Sequence, residues 1–232
     1  NSPVGKKIFS SLNLPIPVIL DRHTPGQTSF IKGDVIVGAA PGSKAVTTVL
    51  ATLKGAGDAR LHTLAGLAAE ADVQKAAGTA GVSVGNYTAS KDDSQKFKAL
   101  VFDATGIKNT AELRALYDFF HPLTRKLDKC GRIVVIGRIP EHCALEQRIA
   151  QRGLEGLVKS LGKEIKKASI ANLIYVDEGA DGQIASPLHF FLSPKAAYVS
   201  GQVVRVGAAD FAADGFNWDK PLSGKTALVT GA

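Results

Sequence analysis

The chain has 232 residues and a mass of 24.3 kDa, a size that fits one large domain or one domain with a tail. With 45% hydrophobic and 21% charged residues, its composition is that of a globular protein and excludes a disordered or fibrous chain. No apolar run reaches the roughly 18 residues of a membrane span. The two cysteines, Cys130 and Cys143, have no His or Cys at ligand spacing. We therefore predict a cytoplasmic protein with no membrane partner and no metal site.

The chain is basic, with 28 Lys and Arg against 21 Asp and Glu and a net charge of +7. This balance indicates an acidic or phosphorylated partner, or a solvated basic surface. Only 6% of the residues are aromatic, and they are not interleaved with basic residues as in a single-strand binding surface. We therefore expect no nucleic-acid partner.

The first 32 residues form no periodic pattern, because Pro15, Pro17, Pro25 and Gly26 interrupt it, and we interpret them as an irregular arm. From residue 34 onward, short apolar runs alternate with longer segments of helical spacing. Continuous runs of this kind are typical of strands that are buried on both faces of a parallel sheet. They occur at residues 34–39, 98–103, 131–137, 170–176 and 202–206, with weaker candidates at 60–64 and 82–87.

Helices are predicted between these strands. One follows Asn109, which with Glu112 resembles a capping box, and Pro122 predicts a kink in it. A longer helix is predicted over residues 144–167, and another reaches about Ala77. The alternation predicts an α/β fold: a doubly wound parallel sheet with helices on both faces, of the Rossmann-like or flavodoxin-like kind.

The C-terminal part of the sequence follows a different pattern. Residues 208–222 have no periodicity and are interpreted as a linker. Residues 224–232 are predicted to be a further buried strand that ends in glycine. Because a strand of this kind begins an α/β fold, we expect residues 223–232 to be the first strand of a second, truncated domain.

A turn that contains glycines joins the first predicted strand to a helix at residues 38–44. In α/β folds such a turn lets the backbone approach a pyrophosphate, and the helix N-terminus supplies N–H groups. Gly38 and Gly42 are therefore candidate cofactor-binding residues. A plain strand-to-helix connection is an equally good interpretation of the same turn.

Five segments, in the same order along the chain, resemble motifs of the short-chain dehydrogenase/reductase family. Residues 224–232 (GKTALVTGA) are similar to the strand and TGxxxGxG turn that open such a domain, cut inside the turn. The four other segments are LVFDATGI at 100–107, GRIVVIG at 131–137, GLEGLVKSLGKE at 153–164 and SPKAAYVSGQVVRVG at 193–207. The resemblance implies that residues 33–207 form a reductase-like domain.

The catalytic positions of that family are not preserved here. The positions of its Ser, Tyr and Lys fall on Arg138, Gln147 and Gln151. In the family, the Lys lowers the pKa of the Tyr and the Ser holds the substrate carbonyl. Glutamine neither donates a proton as an acid nor stabilises a phenolate as a cation. The resemblance therefore implies that residues 33–207 contain no catalytic residue.

The cofactor turn departs from the family in the same direction. Lys44 replaces its third glycine, Phe102 and Asp103 replace an Asn-Asn pair, and no acidic residue ends the second strand to hold a ribose. Gly38 and Gly42 thus belong to a degenerate turn. We expect no cofactor in this portion of the chain.

A degenerate reductase-like domain before a genuine one is similar to the layout of the bacterial high-molecular-weight 3-oxoacyl-acyl-carrier-protein reductases. The matching features are Gly106, residues 131–137, residues 148–156 and residues 220–232. The resemblance implies an NADH- or NADPH-dependent oxidoreductase of fatty acid metabolism, whose cofactor turn begins at Thr230, Gly231 and Ala232. It also implies three partners: the chain's own C-terminal ketoreductase domain, a further copy of the chain in a homodimer or larger homo-oligomer, and an acyl carrier protein or acyl-CoA substrate.

Three interpretations of function stay open at this point. The chain is part of a 3-oxoacyl-thioester reductase, or a non-catalytic domain for structure and oligomerisation within such an enzyme. The alternative is a stand-alone nucleotide-binding or interaction domain without a reductase partner. Two features of the long helix bear on partners: glycines that would permit close packing in a dimer or on the sheet, and a basic stripe that is either a solvated helix face or a surface that steers an acidic carrier. The stripe consists of Arg148, Arg152, Lys159, Lys163 and Lys166.

Overall fold

The computed structural model describes residues 11–12, 18–27, 29–90, 93–208, 220 and 222–230. Its centre is a seven-stranded sheet in which all neighbouring strands are parallel. The strand order is β3-β2-β1-β4-β5-β6-β7. The strands are β1 (Val35–Ala39), β2 (Leu61–Leu64), β3 (Val84–Tyr87), β4 (Phe97–Asp103), β5 (Leu127–Arg138), β6 (Ile170–Val176) and β7 (Val203–Val206). The predicted parallel sheet is confirmed, including both weaker candidates, β2 and β3.

Five α-helices cover the two faces of this sheet. They are α1 (Val46–Lys54), α2 (Glu70–Ala80), α3 (Arg114–Leu123), α4 (Leu145–Glu164) and α5 (Ala185–Leu192). The buried residues of α1, α2 and α5 share one hydrophobic cluster, and those of α3 and α4 share another. The sheet separates the two clusters because alternate residues of each strand point to opposite faces. The domain is therefore doubly wound, as predicted.

The central strands are apolar throughout because both of their faces are covered. Every residue of β1 and β6 is buried. The edge strands differ, since β3 is buried only at Tyr87 and no residue of β7 is fully buried. This burial explains the unbroken apolar runs of the central strands, whereas β7 has such a run although it lies at the edge, and β2 has a weaker one although it lies inside the sheet.

The strand order reverses at the centre of the sheet. β1 pairs with β2 on one side and with β4 on the other. The connection after β1 leads to α1 on one face, and the connection after β4 leads to α3 on the opposite face. Between two such diverging connections, open α/β sheets have a crevice at the carboxyl ends of the strands. A ligand-binding site is therefore expected at this crevice.

The ends of two helices differ from the predictions. Helix α4 ends at Glu164, three residues before the predicted boundary, because Ile165 has extended backbone. Pro122 lies one residue from the end of α3, where the chain passes into the 3₁₀ turn Thr124–Lys126. Pro122 therefore lies next to the end of the helix and not at the interior kink that the sequence predicts. The predicted cap is present: Asn109 Oδ1 accepts from the Glu112 N–H at 3.2 Å.

The predictions for the segments outside the sheet compare with the structure in different ways. Phe30 and Ile31, inside the predicted arm, are buried in the core, and residues 18–27 and 29–34 form no helix or strand. Most of the predicted linker, residues 209–219 and 221, lies outside the described residues. The strand predicted at residues 224–232 is not formed over its described part, residues 224–230, while its place as the first strand of a second domain stays a prediction. Leu228 and Val229 are 90% and 75% exposed, because no described element pairs with this segment.

Candidate functional site

A cavity of about 320 Å³ lies at the carboxyl edge of the sheet, beside the point where the strand order reverses. Its walls come from the segments that follow β1, β4, β5 and β6. Three residues that the sequence singled out, Gly42, Arg138 and Gln147, line it together. Lys44 and Lys108 also line it, and both are exposed. The structure therefore brings part of the predicted site into one crevice.

The turn between β1 and α1 is tied to the turn after β4. The Lys44 N–H donates to Thr105 Oγ1 at 2.9 Å, and the Gly106 N–H donates to Ser43 Oγ at 3.1 Å. Ser43 Oγ in turn donates to the Asp103 carbonyl at 2.8 Å. Donors at this helix N-terminus are those that a bound phosphate would need. Here the N–H groups of Lys44 and Ala45, just before the helix, are used by Thr105 and by the Asp103 carboxyl.

Asp103 provides a carboxylate beneath the same turn. It is fully buried at the end of β4, and its Oδ1 accepts from the Thr105 N–H at 3.0 Å and from Thr105 Oγ1 at 2.7 Å. Burial raises the pKa of the Asp103 carboxyl, and hydrogen bonds from Thr105 and the Ala45 N–H partly offset that rise. An acidic group of the chain thus lies fully buried directly beneath this turn.

Two glycines near the crevice serve packing. A Cβ on Gly38 would lie 2.5 Å from a ring carbon of Phe119, so Gly38 lets α3 pack against β1. A Cβ on Gly106 would collide with the Pro41 carbonyl, so Gly106 lets the two turns touch. Gly42 is different, because its φ of +74° suits glycine and no atom surrounds it within 4 Å. Of the two predicted cofactor glycines, only Gly42 faces the crevice.

Gln151, at the family's Lys position, is fully buried below the crevice. Its Oε1 accepts from the Arg138 N–H at 2.9 Å, and its Nε2 donates to the carbonyls of Ala104 and Ile107 at 2.9 and 2.8 Å. The Tyr175 hydroxyl donates to the Gln151 carbonyl at 2.7 Å. The amide therefore connects α4 to the turns after β4 and β5. It does not reach the crevice.

Arg138, at the family's Ser position, is also held by the protein. It is 8% exposed, donates to the Asp177 carbonyl at 3.0 Å and forms an ion pair with Asp181 at 2.9 Å. Arg138 is therefore not a solvated surface residue, and its charge is already paired within the protein. Gln147, at the Tyr position, is half-buried in the cavity wall, and no described residue hydrogen-bonds to its side chain.

The sequence reasoning missed the acidic side of the crevice. Asp177 Oδ1 lies 2.6 Å from His142 Nδ1, and Asp181 pairs with Arg138. The available signal was the Asp-Glu pair directly after the apolar run at 170–176. Nearby, burial raises the pKa of the Cys143 thiol, which disfavours the thiolate that a nucleophile needs. No cluster of metal ligands occurs within the described ranges.

A second cavity, of about 520 Å³, lies at the ends of β1, β2 and β3 and has mostly apolar walls. β2 ends at Leu64 and continues into Ala65 and Gly66, so no acidic residue follows it directly. The nearby Glu70 carboxylate accepts from the Gly66 N–H at 2.7 Å and from Asn86 Nδ2 at 2.8 Å. The carboxylate that the family uses for a ribose has no counterpart at the end of β2.

The predicted second-domain residues are only partly described. Thr230 is exposed and lies in no helix or strand, and Gly231 and Ala232 lie outside the described residues.

Among the described helices, none is long and apolar enough to cross a membrane.

Comparisons with known proteins identify the fold. No family model matches the chain, and no curated protein matches its sequence. Among solved structures, a short-chain dehydrogenase/reductase from Serratia marcescens superposes with a TM-score of 0.58 at 17% identity, covering 77% of this chain and 98% of its own. A short-chain dehydrogenase/reductase from Brucella melitensis, described as a glucose/ribitol dehydrogenase, has a TM-score of 0.58 at 17% identity, covering 80% of this chain and all of its own. The chain therefore has the fold of the short-chain dehydrogenase/reductases.

Proposed function

We propose that residues 33–207 are a non-catalytic member of the short-chain dehydrogenase/reductase family, acting as a structural domain of an NADH- or NADPH-dependent 3-oxoacyl-thioester reductase. The observation that carries the proposal is the internal hydrogen bonding of the turn between β1 and α1. The Lys44 N–H donates to Thr105 Oγ1, and the Ala45 N–H donates to the buried carboxyl of Asp103. A bound pyrophosphate would need those donors, which the protein already uses.

The three catalytic positions support the same conclusion from chemistry. Reduction of a carbonyl needs a proton donor beside the hydride acceptor. Gln147 has no acidic proton to give, Gln151 is fully occupied by backbone groups, and the charge of Arg138 is paired with Asp181. The fold is retained while the groups that would perform the reaction are replaced by groups that hold the turns together.

The partners of this domain are part of the proposal. The catalytic work belongs to a C-terminal ketoreductase domain that opens with Thr230, Gly231 and Ala232, and the substrate is carried by acyl carrier protein or coenzyme A. The basic stripe on α4 supports an acidic carrier less strongly than its sequence suggested. Arg152 pairs with Glu141 and Glu155, and Lys159 Nζ lies 3.7 Å from Glu155. Charges that are already paired in this way contribute little to the steering of an acidic carrier.

The direct test is a hydride-transfer assay. The purified 232-residue chain is incubated with NADH or NADPH and a 3-oxoacyl thioester, and cofactor absorbance is followed. We expect no turnover above the uncatalysed rate. Turnover comparable with that of an ordinary reductase would overturn the proposal.

The alternative of a stand-alone nucleotide-binding domain is decided by calorimetry. We expect no saturable binding of NADH or NADPH to the chain. A micromolar dissociation constant that is weakened by Lys44→Ala would favour the alternative, because Lys44 is exposed at the crevice mouth. Gly38 is unsuitable for this test, since any side chain there would displace Phe119.

A further inference from the structure

A third cavity, of about 330 Å³, lies at the opposite, amino edge of the sheet. It is enclosed by the N-terminal segment, by the first residues of β4 and β5, and by the chain after α5. Its charged lining residues are four basic and one acidic: Arg22, Lys32, Lys98, Arg132 and Asp21. The crevice described above uses none of them, so this cavity has no part in the proposed function.

Arg132 is the unusual member of the set. It is 2% exposed and is the largest fully buried side chain among the described residues. Its Nη1 donates to the Cys130 carbonyl at 3.0 Å, while its buried Nε has no hydrogen-bond partner within the described part of the chain. No described carboxylate forms an ion pair with it. A buried guanidinium normally has a bidentate acidic partner.

The backbone at the start of β5 is shaped around this side chain. Cys130 has a φ of +50°, which is uncommon for a residue with a side chain. A Cβ on Gly131 would lie within 2.9 Å of the Asp128 carbonyl and closer still to the Leu127 side chain. These two residues turn the Cys130 carbonyl onto the guanidinium. The bend therefore accompanies the hydrogen bond between the Cys130 carbonyl and the Arg132 guanidinium.

Asp21 attracts the Arg132 guanidinium without forming an ion pair with it. The acidic residue, Asp21, is bound by Lys98 Nζ at 2.6 Å, and Lys98 also donates to the Lys129 carbonyl at 2.7 Å. The first twenty residues of the chain contain no Asp or Glu. Burial lowers the pKa of the Arg132 guanidinium because the charged form loses its hydration, and a bound anion would reverse that loss.

We propose that this cavity binds the phosphate group of a small molecule, with the guanidinium of Arg132 as its central ligand. Arg132 supplies its Nε–H, which has no partner within the described part of the chain, and Arg22 and Lys32 add positive charge at the rim. Arginine presents donors in a planar fork that matches a phosphate. The cavity volume exceeds that of a phosphate alone and leaves room for a small organic substituent. The site lies at the edge of the sheet remote from the crevice.

The test uses inorganic phosphate as the probe, with titration calorimetry on the whole chain at constant ionic strength. We expect saturable binding that Arg132→Met abolishes. Arg138→Met is the matched control, because Arg138 is a buried arginine at the other edge of the sheet, and it should bind as the unchanged protein does. Glycerol phosphate forms a second arm: binding about tenfold tighter than that of phosphate indicates that the organic part also occupies the cavity.

Two further variants keep the test decisive if Arg132→Met does not fold. Arg132→Lys keeps the charge but loses the fork, so we expect at least about tenfold weaker phosphate binding. Lys32→Ala removes charge at the rim and should weaken binding less. Unsaturable heats with the unchanged protein would overturn the proposal. Equal affinity in the unchanged protein and in Arg132→Lys would also overturn it.

Discussion

Gln147 and Gln151 lie one helical turn apart on α4 in opposite environments. Gln151 is fully buried and satisfies three backbone groups, whereas Gln147 has no hydrogen-bond partner among the described residues. We predict that Gln151→Ala lowers the free energy of unfolding by about 2–4 kcal/mol, because the groups it leaves are buried and unpaired. Urea denaturation measures the change.

The matched control for this substitution is Gln147→Ala. It removes the same atoms from the same helix, and we expect a change within about 0.5 kcal/mol. Equal destabilisation by the two substitutions would show that Gln151 does not connect the turns as described.

The buried carboxyl of Asp103 predicts a pH-dependent effect. Its pKa in the folded protein is raised above that of the unfolded chain, so the folded state holds the proton more tightly. Its contribution to stability is therefore fully present at pH values below the unfolded pKa and is lost as the pH rises through the folded one. Asp103→Asn has no carboxyl to deprotonate at this position, so its stability does not fall in this way. We predict that the stability of Asp103→Asn relative to the unchanged protein is greater at pH 8 than at pH 4.

The measurement is urea denaturation of both proteins across that pH range. Thr105→Val is a useful companion, because it removes the hydroxyl that donates to Asp103 Oδ1 without removing the titrating group. Parallel stability curves for Asp103→Asn and the unchanged protein would contradict the raised pKa.

The residue types at the site were predictable, but their contacts were not. The sequence placed Arg138, Gln147 and Gln151 at catalytic positions and showed that they lack the required chemistry. It could not show that Gln151 bonds to the turns after β4 and β5, because those partners are 13 to 47 positions away in the chain. The buried Arg132 was hidden for a related reason, since an arginine in an apolar run gives no sign of its partners.

At the level of elements, predictability followed burial. The central strands were predicted because apolar residues on both faces give an unbroken run. The same rule predicts a strand at residues 224–232, whose described part, residues 224–230, forms no strand and is exposed because no described element pairs with it. Local pattern shows that a segment can form a buried strand, while pairing depends on the rest of the molecule. Helix ends were less predictable, as Ile165 shows.

The contact between β1 and α3 gives a prediction at this scale. We predict that Gly38→Ala lowers the free energy of unfolding by about 1–3 kcal/mol, because the new methyl group would overlap the Phe119 ring. Thermal or urea unfolding measures the change.

Gly78→Ala is the matched control for Gly38→Ala. Gly78 is exposed within α2 and no atom surrounds it within 4 Å, so alanine should raise stability by up to about 1 kcal/mol. A neutral Gly38→Ala would mean that α3 moves away at little cost.

At the level of the whole molecule, α4 exposes two large apolar side chains next to the basic residues Arg152 and Lys163, which lie on the same side of the helix. Leu145 and Ile149 are 69% and 56% exposed, and a Cβ on Gly156 would meet no atom within 4 Å. At 100° per residue these three positions lie within about 40° of one another. Gly162 is needed for packing within the chain, because a Cβ there would lie 2.9 Å from Ser200 Oγ. The remaining face suits the proposed homo-oligomer, since small residues allow helices to approach closely.

We predict that Ile149→Glu shifts the protein toward the monomer in sedimentation velocity, because it would bury a carboxylate in that contact. Ser186→Glu is the control, since it adds the same charge to an exposed position of α5 on the other side of the sheet. If Ile149→Glu leaves the sedimentation coefficient unchanged, this face of α4 is not the contact.

The reversal of strand order at β1 also bears on how the chain folds. The other paired strands are brought together across about 23–38 residues, but β1 and β4 pair across 64, as in Val35 with Ala99. Closing the longest segment costs the most chain entropy and slows the formation of non-local contacts. We therefore expect β1-β2-β3 and β4 to β7 to assemble first as separate halves. Their joining would be the slow step, and the hydrogen bonds between the turns after β1 and β4 would form only then.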